Sequence, residues 1–486
     1  MLGLALAASA WSGACARSEP AAAPSFELRA VTAKALASLP QPAEPPRPDP
    51  AMVERLRGQI VDLAHLRGRM RDAVLQDVTG APEPALVAAS ALLAAQDTEP
   101  EVWHSAIEAL GAVGTPRALL ALANVVDIQR CHDPRMRADA ARAAGRIDAD
   151  VAVPELCAQL KYETDGETVI WIADYLARQR NYSGLDGLRV LAGNAREPEV
   201  REHAGAVLAE VARDAGFDDP DALYAAWHSA DPEREVPRKE PSPELRAAIW
   251  RCVADLGVFD LKHVDDARFV LAGSPWWVVD VLVQALHEQE PHLRACVAQS
   301  LERMGARATA ACDELVKALD EPRTAPAMAT ALAAIGCRDA VEPLVRCTTS
   351  EAGPELRNAA ARALGVLGGR PAVDALVGLL EQADSPDLRQ TAAEALVPLG
   401  AGARGATLLC DCLTRPGADH DTAEAALEAW LAGEADAGKR VAVEALDAWR
   451  ALAGDPNRTA TVAETAERHE ARAALLAQRL PDLLRP

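Results

Sequence analysis

The sequence predicts an all-α solenoid of about ten helix pairs with one irregular insertion, and three observations carry that expectation. A Pro-x-apolar-Arg tetrad recurs at Pro134, Pro198, Pro243, Pro291, Pro354 and Pro386. Counted from each of these prolines, Ala or an aliphatic residue stands at +6 and +10, and Gly recurs at +14 as Gly257, Gly305, Gly368 and Gly400. The apolar half of the chain is dominated by Ala while aromatics make up only 3%, which suits thin helices packed close and disfavours an aromatic-rich β-sandwich.

The chain opens on Leu2 to Ala14, a 13-residue apolar run too short to cross a bilayer core of roughly 30 Å as a helix. It has the character of a secretory signal. Its end, Ser12-Gly13-Ala14-Cys15, resembles a bacterial lipoprotein processing site, and the resemblance implies acylation of Cys15 after cleavage. Ser12 stands where that motif has an aliphatic residue, and no Lys or Arg precedes the run. Residues 1–15 are therefore expected to direct export, with a buried terminal helix in a cytoplasmic protein as the alternative. Residues 16–50 are rich in Pro and Ala, including Pro45-Pro46 and Pro48, and proline removes backbone donors, so this stretch is expected to be a tether around one short helix at Phe26 to Leu39.

Ala51 to Val78 is expected to form one long amphipathic helix and Glu83 to Ala95 its partner, together capping repeats over 51–213. The repeat frame recovers further anchors at Pro100, Gly166, Pro322 and Asp419, so successive anchors lie 34, 32, 32, 45, 48, 31, 32, 32 and 33 residues apart. In each unit a polar residue such as Glu99, Asp133, Ser242 or Ser385 is placed to cap the helix, and Pro occupies the first turn, where a missing N–H costs nothing. Apolar residues at +2, +6, +9 and +10 share one helical face, and Gly near +14 ends the helix in the left-handed conformation. A second helix follows, as at Ala340 to Val345 or Ala372 to Leu380. A pair of this size must stack on neighbours to bury its remaining face.

At these residues the chain resembles HEAT repeats, particularly the phycobilisome-lyase-type HEAT-like variety, whose units read roughly D-P-x-V-R-x-x-A-x-x-A-L-G. Pro354 to Leu380 and Pro386 to Gly400 match best, and the likeness runs over about residues 82 to 433. It implies a scaffold more often than an enzyme. It also implies that the recurrent Arg137, Arg201, Arg246, Arg294, Arg357 and Arg389 brace adjacent repeats by pairing with acids, and do not form a ligand track.

The two long spacings set residues 214–290 apart as an irregular insertion expected to project from the stack. It carries a short helix with Tyr224 and Trp227, a proline-rich loop over Asp231 to Pro243, and an extra helix from Pro275 to Gln289 that begins Trp276-Trp277. Trp227, Trp276 and Trp277 are the candidate protein-binding residues, because aromatic rings supply much of the energy at interfaces. The competing expectation is that they fill a wedge in the stack. Adjacent Trp276 and Trp277 point about 100° apart on a helix, so at least one should be buried. Regular repeats resume over 291–433, and 434–486 is expected to cap the chain with charged helices around Lys439 to Leu452 and Thr461 to Leu480.

Chemistry-bearing motifs are absent from the sequence: it has no phosphate loop, dinucleotide fingerprint, nucleophile elbow or zincin helix. No catalytic residue, cofactor or metal is expected. His287 and His292 lie five apart around Pro291 and do not share a face, and the ten cysteines include no C-x-x-C. Cys131-His132-Asp133 falls in a loop, where a reactive thiol is the weaker of two explanations. One or two disulfides fit an exported chain, with pairing unspecified. Lys+Arg 50 against Asp+Glu 72 gives a formal charge of −22, which excludes general affinity for nucleic acid or anionic lipid. The expected partner is a neutral or basic protein, with membrane contact only through a lipid on Cys15. The function expected is a non-enzymatic protein-binding scaffold, exported and membrane-tethered; the alternatives are a lyase-like enzyme handling a chromophore and a cytoplasmic scaffold.

Overall fold

The computed structural model describes residues 47–399, apart from 96–98, 230–235, 258–259, 350, 383–384 and 397–398. The leader with Cys15, the tether up to residue 46, the anchor Asp419 and the C-terminal caps expected over 434–486 lie outside the described residues. Two compact units divide the chain, residues 1–300 and 301–486.

Unit 1 holds α1 (Pro50–Asp62), α2 (Arg69–Gly80), α3 (Pro82–Ala94), α4 (Pro100–Val113), α5 (Pro116–Val126), α6 (Pro134–Ala144), α7 (Val153–Leu160), α8 (Gly166–Arg178), α9 (Leu185–Asn194), α10 (Pro198–Asp214), α11 (Pro220–Trp227), α12 (Pro243–Asp255), α13 (Leu261–Gly273), α14 (Trp277–Ala285) and most of α15 (Pro291–Met304). Unit 2 holds α16 (Cys312–Lys317), α17 (Ala325–Ile335), α18 (Val341–Cys347), α19 (Pro354–Leu367), α20 (Arg370–Gln382) and α21 (Pro386–Leu396), joined in places by 3₁₀ turns. Among the described residues every regular element is helical, so the chain is an all-α solenoid of stacked helix pairs.

Eight of the ten anchors begin a helix at the anchor residue itself, which shows that the first-turn position sets the repeat frame. Asp133 Oδ1 accepts from Arg135 N at 2.9 Å, and Ser242 Oγ accepts from Leu245 N at 3.0 Å. Glu99 sits at its N-cap without a side-chain bond, being too long to fold back as Asp and Ser do. The +6 residues Ala140, Ala204, Ile249, Val297, Ala360 and Ala392 are all buried, as are the +10 residues Ala144, Leu208, Val253, Leu301, Leu364 and Leu396. Gly114, Gly305, Gly336 and Gly368 take φ of 64°, 58°, 84° and 70° at +14, the left-handed turn that releases the chain into its second helix.

A register absent from the sequence expectation links neighbouring first helices. A Cβ added to Gly111 of α4 would meet the Ala143 Cβ of α6 at 3.2 Å, and one added to Gly365 of α19 would meet the Ala395 Cβ of α21 at 2.7 Å. In both units the contact runs from +11 of one repeat to +9 of the next.

Two expectations are corrected. The single helix over Ala51 to Val78 is broken into α1 and α2, because Gly68 takes φ 54° and Arg71 Nη1 turns back to donate to Leu63 O at 2.7 Å. The recurrent Arg pairs with an acid at Arg137 and at Arg246, whose Nη2 lies 3.3 Å from Glu240 Oε2, but backbone carbonyls accept from it as well. Arg201 Nη1 donates to Ala195 O at 2.6 Å, and Arg357 Nε to Thr348 O at 3.2 Å, so each fixes the turn entering its own helix. Arg137 combines both roles, donating to Cys131 O at 2.9 Å and bidentately to Glu163 at 2.7 and 2.8 Å. Acid pairs between repeats come from other positions, Arg71 with Glu108, Arg117 with Glu83, His104 with Asp139 and His203 with Glu167.

Candidate functional site

The irregular segment does not project. After α10 and α11 the chain crosses residues 236–242 and lays α12 and α13 back against α7, nearly a hundred residues upstream. Polar bonds secure the return. Ser242 N donates to Asp150 Oδ2 at 2.8 Å, and Lys239 Nζ donates to Asp148 Oδ1 at 3.1 Å and Gln179 Oε1 at 2.8 Å. Lys161, just beyond α7, pairs with Asp265 and, at 3.0 Å, with Asp266, and the Tyr162 hydroxyl donates to Asp266. Burial alone would lower the Lys161 ammonium, but Asp265, Tyr162 and Asp266 outweigh it and hold the group charged above its ordinary range. Burial and the bond to Asp266 together push the Tyr162 hydroxyl up.

The three sequence-selected tryptophans part company at this junction. Trp227 is 5% exposed and meets Tyr182 edge to face at 5.5 Å in the cluster that seats α10 and α11 on α8 and α9. Trp277 is 3% exposed, with the Arg246 guanidinium over its ring at 5.4 Å. Both rings are core, which leaves them no free face. Trp276 is half-buried at the start of α14. The Arg238 guanidinium lies 4.6 Å over its ring, and its Nε1–H has no hydrogen-bond partner. The structure thus brings Arg238, Lys239 and Trp276 to one exposed edge and withdraws the other two rings. Arg238 and Lys239 carry no motif, and only the fold-back gives them a role.

The Cys131-His132-Asp133 loop borders a shallow cavity of about 510 Å³ lined by Ile128, His132, Pro134, Arg137, Thr164 and Asp165. Cys131 is not its nucleophile. The thiol is buried 3.6 Å from Asp133 O, and burial pushes it up against the opposing pull of that bond and of Arg137. Burial also pushes the Cys252 and Cys347 thiols up. Cys312 and Cys337 form a disulfide with a Cα–Cα separation of 5.8 Å, closing the turn around α16 and α17. Among the described residues no helix is long and apolar enough to cross a membrane, and no cluster of three or more His, Cys, Asp or Glu residues is arranged to hold a metal.

Comparison with known proteins identifies HEAT repeats over residues 88–177 and 313–397, one stretch in each unit and on either side of the irregular segment. No curated protein matches the sequence. Among solved structures the chain is similar to the complex of CpcE and CpcF of phycocyanin lyase from Nostoc sp. PCC7120, with 21% identity over 54% of this chain and 93% of that one and a TM-score of 0.26. It is also similar to importin beta, with 13% identity over 89% of this chain and 74% of that one and a TM-score of 0.30. A third likeness is to human deoxyhypusine hydroxylase, with 17% identity, coverage of 72% and 97%, and a TM-score of 0.20.

Proposed function

From a chain that carries HEAT repeats in both of its units, we propose a non-enzymatic scaffold that binds a neutral or basic protein through the edge at Trp276. The observation supporting this is Trp276 itself. It is a large ring left half-buried on a segment that six polar bonds hold against the repeats. A rigid platform reduces the ordering cost of association. The charge of −22 favours encounter with a basic partner and makes the association salt-sensitive.

The test separates the three rings. Trp276→Ala should weaken capture of the partner from an extract and leave the melting temperature unchanged, whereas Trp227→Ala and Trp277→Ala should each cost about 3–5 kcal/mol of stability. Capture that survives Trp276→Ala in a folded chain would remove this edge from the interface.

Export with tethering through Cys15 belongs to the same proposal. The apolar run at Leu2 to Ala14 and the Cys312–Cys337 disulfide support it, since disulfides persist in oxidising compartments. Removing residues 2–14 should hold the protein in the cytoplasm, and Cys15→Ala should release it from membranes with its melting temperature unchanged. Membrane association that persists in Cys15→Ala would rule out the lipid as the anchor.

A further inference from the structure

Outside the junction, one cysteine differs from the others in its surroundings. Cys296 lies on α15, and the Arg268 guanidinium of α13 donates to its Sγ at 3.0 Å. The imidazole Nε2 of His292, one turn earlier on the same helix, stands 3.8 Å from that sulfur. Positions 292, 296 and 299 share one helical face, because residues three and four apart are neighbours. Gln299 adds a buried Oε1 with no hydrogen-bond partner, and Arg268 keeps a buried Nε–H that is also unpartnered. A thiol that accepts from a guanidinium and stands beside an imidazole is not the environment of a cysteine serving as a small hydrophobe.

We infer that Cys296 is a redox-active thiol that a hydroperoxide oxidises to a sulfenic acid beside Arg268 and His292. The groups fit each stage. His292 takes the thiol proton, and a sulfur lone pair then forms the S–O bond to one peroxide oxygen as the O–O bond breaks. The departing oxygen recovers the proton from His292 and leaves as water from hydrogen peroxide, or as the alcohol from an organic hydroperoxide, so sulfur loses two electrons and the peroxide gains them. The new S–O–H needs a donor to its oxygen and an acceptor for its proton. The Arg268 guanidinium supplies the donor, and the His292 imidazole, once it has given up its proton, the acceptor. Cys296 is 1% exposed, so a bulky electrophile has no path to it, whereas His292 reaches the surface beside it and a peroxide is hardly larger than water.

Cys252 and Cys347 are the internal controls. Both are more exposed than Cys296, and burial pushes both thiols up with no imidazole recorded beside either sulfur. The full-length protein would be treated with hydrogen peroxide and then unfolded in denaturant containing dimedone, which traps sulfenic acids once every sulfur is accessible, and each cysteine peptide quantified by mass spectrometry. Cys296 should be labelled about tenfold faster than Cys252 or Cys347. His292→Phe should slow its labelling about tenfold or more with the melting temperature unchanged. Labelling that follows exposure, with Cys252 and Cys347 ahead of Cys296, overturns the inference in the unaltered protein and needs no variant. A folded His292→Phe chain that oxidises at the native rate overturns the role of the imidazole and with it the site.

Discussion

Single residues decide how closely the repeats approach, and the two glycines at +11 show how finely. Ala is favoured over Gly inside a helix by about 1 kcal/mol. At Gly365 the added methyl would lie 2.7 Å from the Ala395 Cβ and 2.8 Å from its Cα, so backbone must move, and overpacking costs about 1–3 kcal/mol. Gly365→Ala is therefore expected to lower stability and Gly111→Ala, whose contact is 3.2 Å, to be near neutral, as measured by urea unfolding. Equal effects would show that the register is not shared. The Arg137–Glu163 pair is another single-residue determinant, with side chains 4% and 1% exposed. Burial alone would raise the Glu163 carboxyl, but the hydrogen bonds from Arg137, Asp165 N and Thr164 N outweigh it and hold the group below its ordinary 4.5. A depressed folded value means stability that is present above 4.5 and is lost as pH falls through the folded value. Glu163→Gln should cost about 3–5 kcal/mol near neutrality, and much less at a pH below the folded value, where the native carboxyl is also protonated. A loss that is the same at both pH values would show that the ionised pair contributes nothing. Neither feature is legible from spacing. Gly111 reads as an ordinary mid-helix glycine, and Glu163 lies outside the repeat frame.

At the scale of elements, the sequence specifies where helices begin much better than what their side chains then hold. Proline at the first turn constrains the local backbone, so Pro100, Pro134, Pro198, Pro243, Pro291, Pro354 and Pro386 each mark a helix start directly. Helix ends depend on context. In the repeat anchored at Gly166 the +14 position is Arg180, which takes the left-handed φ of 58° that Gly supplies elsewhere and uses its Nη1 to cap α10 at Asp214 O, 3.0 Å away. A search for glycine passes over it. The recurrent Arg is the same case in reverse, since the pattern is visible but several of its acceptors, the carbonyls of Ala195 and Thr348 among them, are backbone atoms with no residue signature. The break between α1 and α2 is missed because Gly68 lies in a stretch with helical periodicity on both sides.

For the whole molecule, the contrast is between a stack that adds repeats one at a time and a junction that does not. Nearest-neighbour contacts make repeats removable, because each loses only the interfaces it shares with its two neighbours. In unit 2 the deletion of residues 354–385 takes out α19 and α20 as one repeat and leaves α17 to meet α21. Ala333 stands at +11 in its own repeat, where it would replace Gly365 opposite Ala395, whose contact leaves no room for a methyl. The shortened chain is thus expected to stay soluble and helical with a lowered melting temperature, and Ala333→Gly in that background to recover part of the loss. Removing residues 243–274 from unit 1 should have another outcome. That cut takes away α12 and α13, strips Lys161 of Asp265 and Asp266, removes the segment fastened by Ser242 to Asp150, and bares the face of α7 they cover. Exposed helix faces of this kind drive association, so the variant should elute as aggregate in size-exclusion chromatography with loss of cooperative melting. If both deletions behave alike, the fold-back is only another pair of repeats and the long-range bonds do not set it apart.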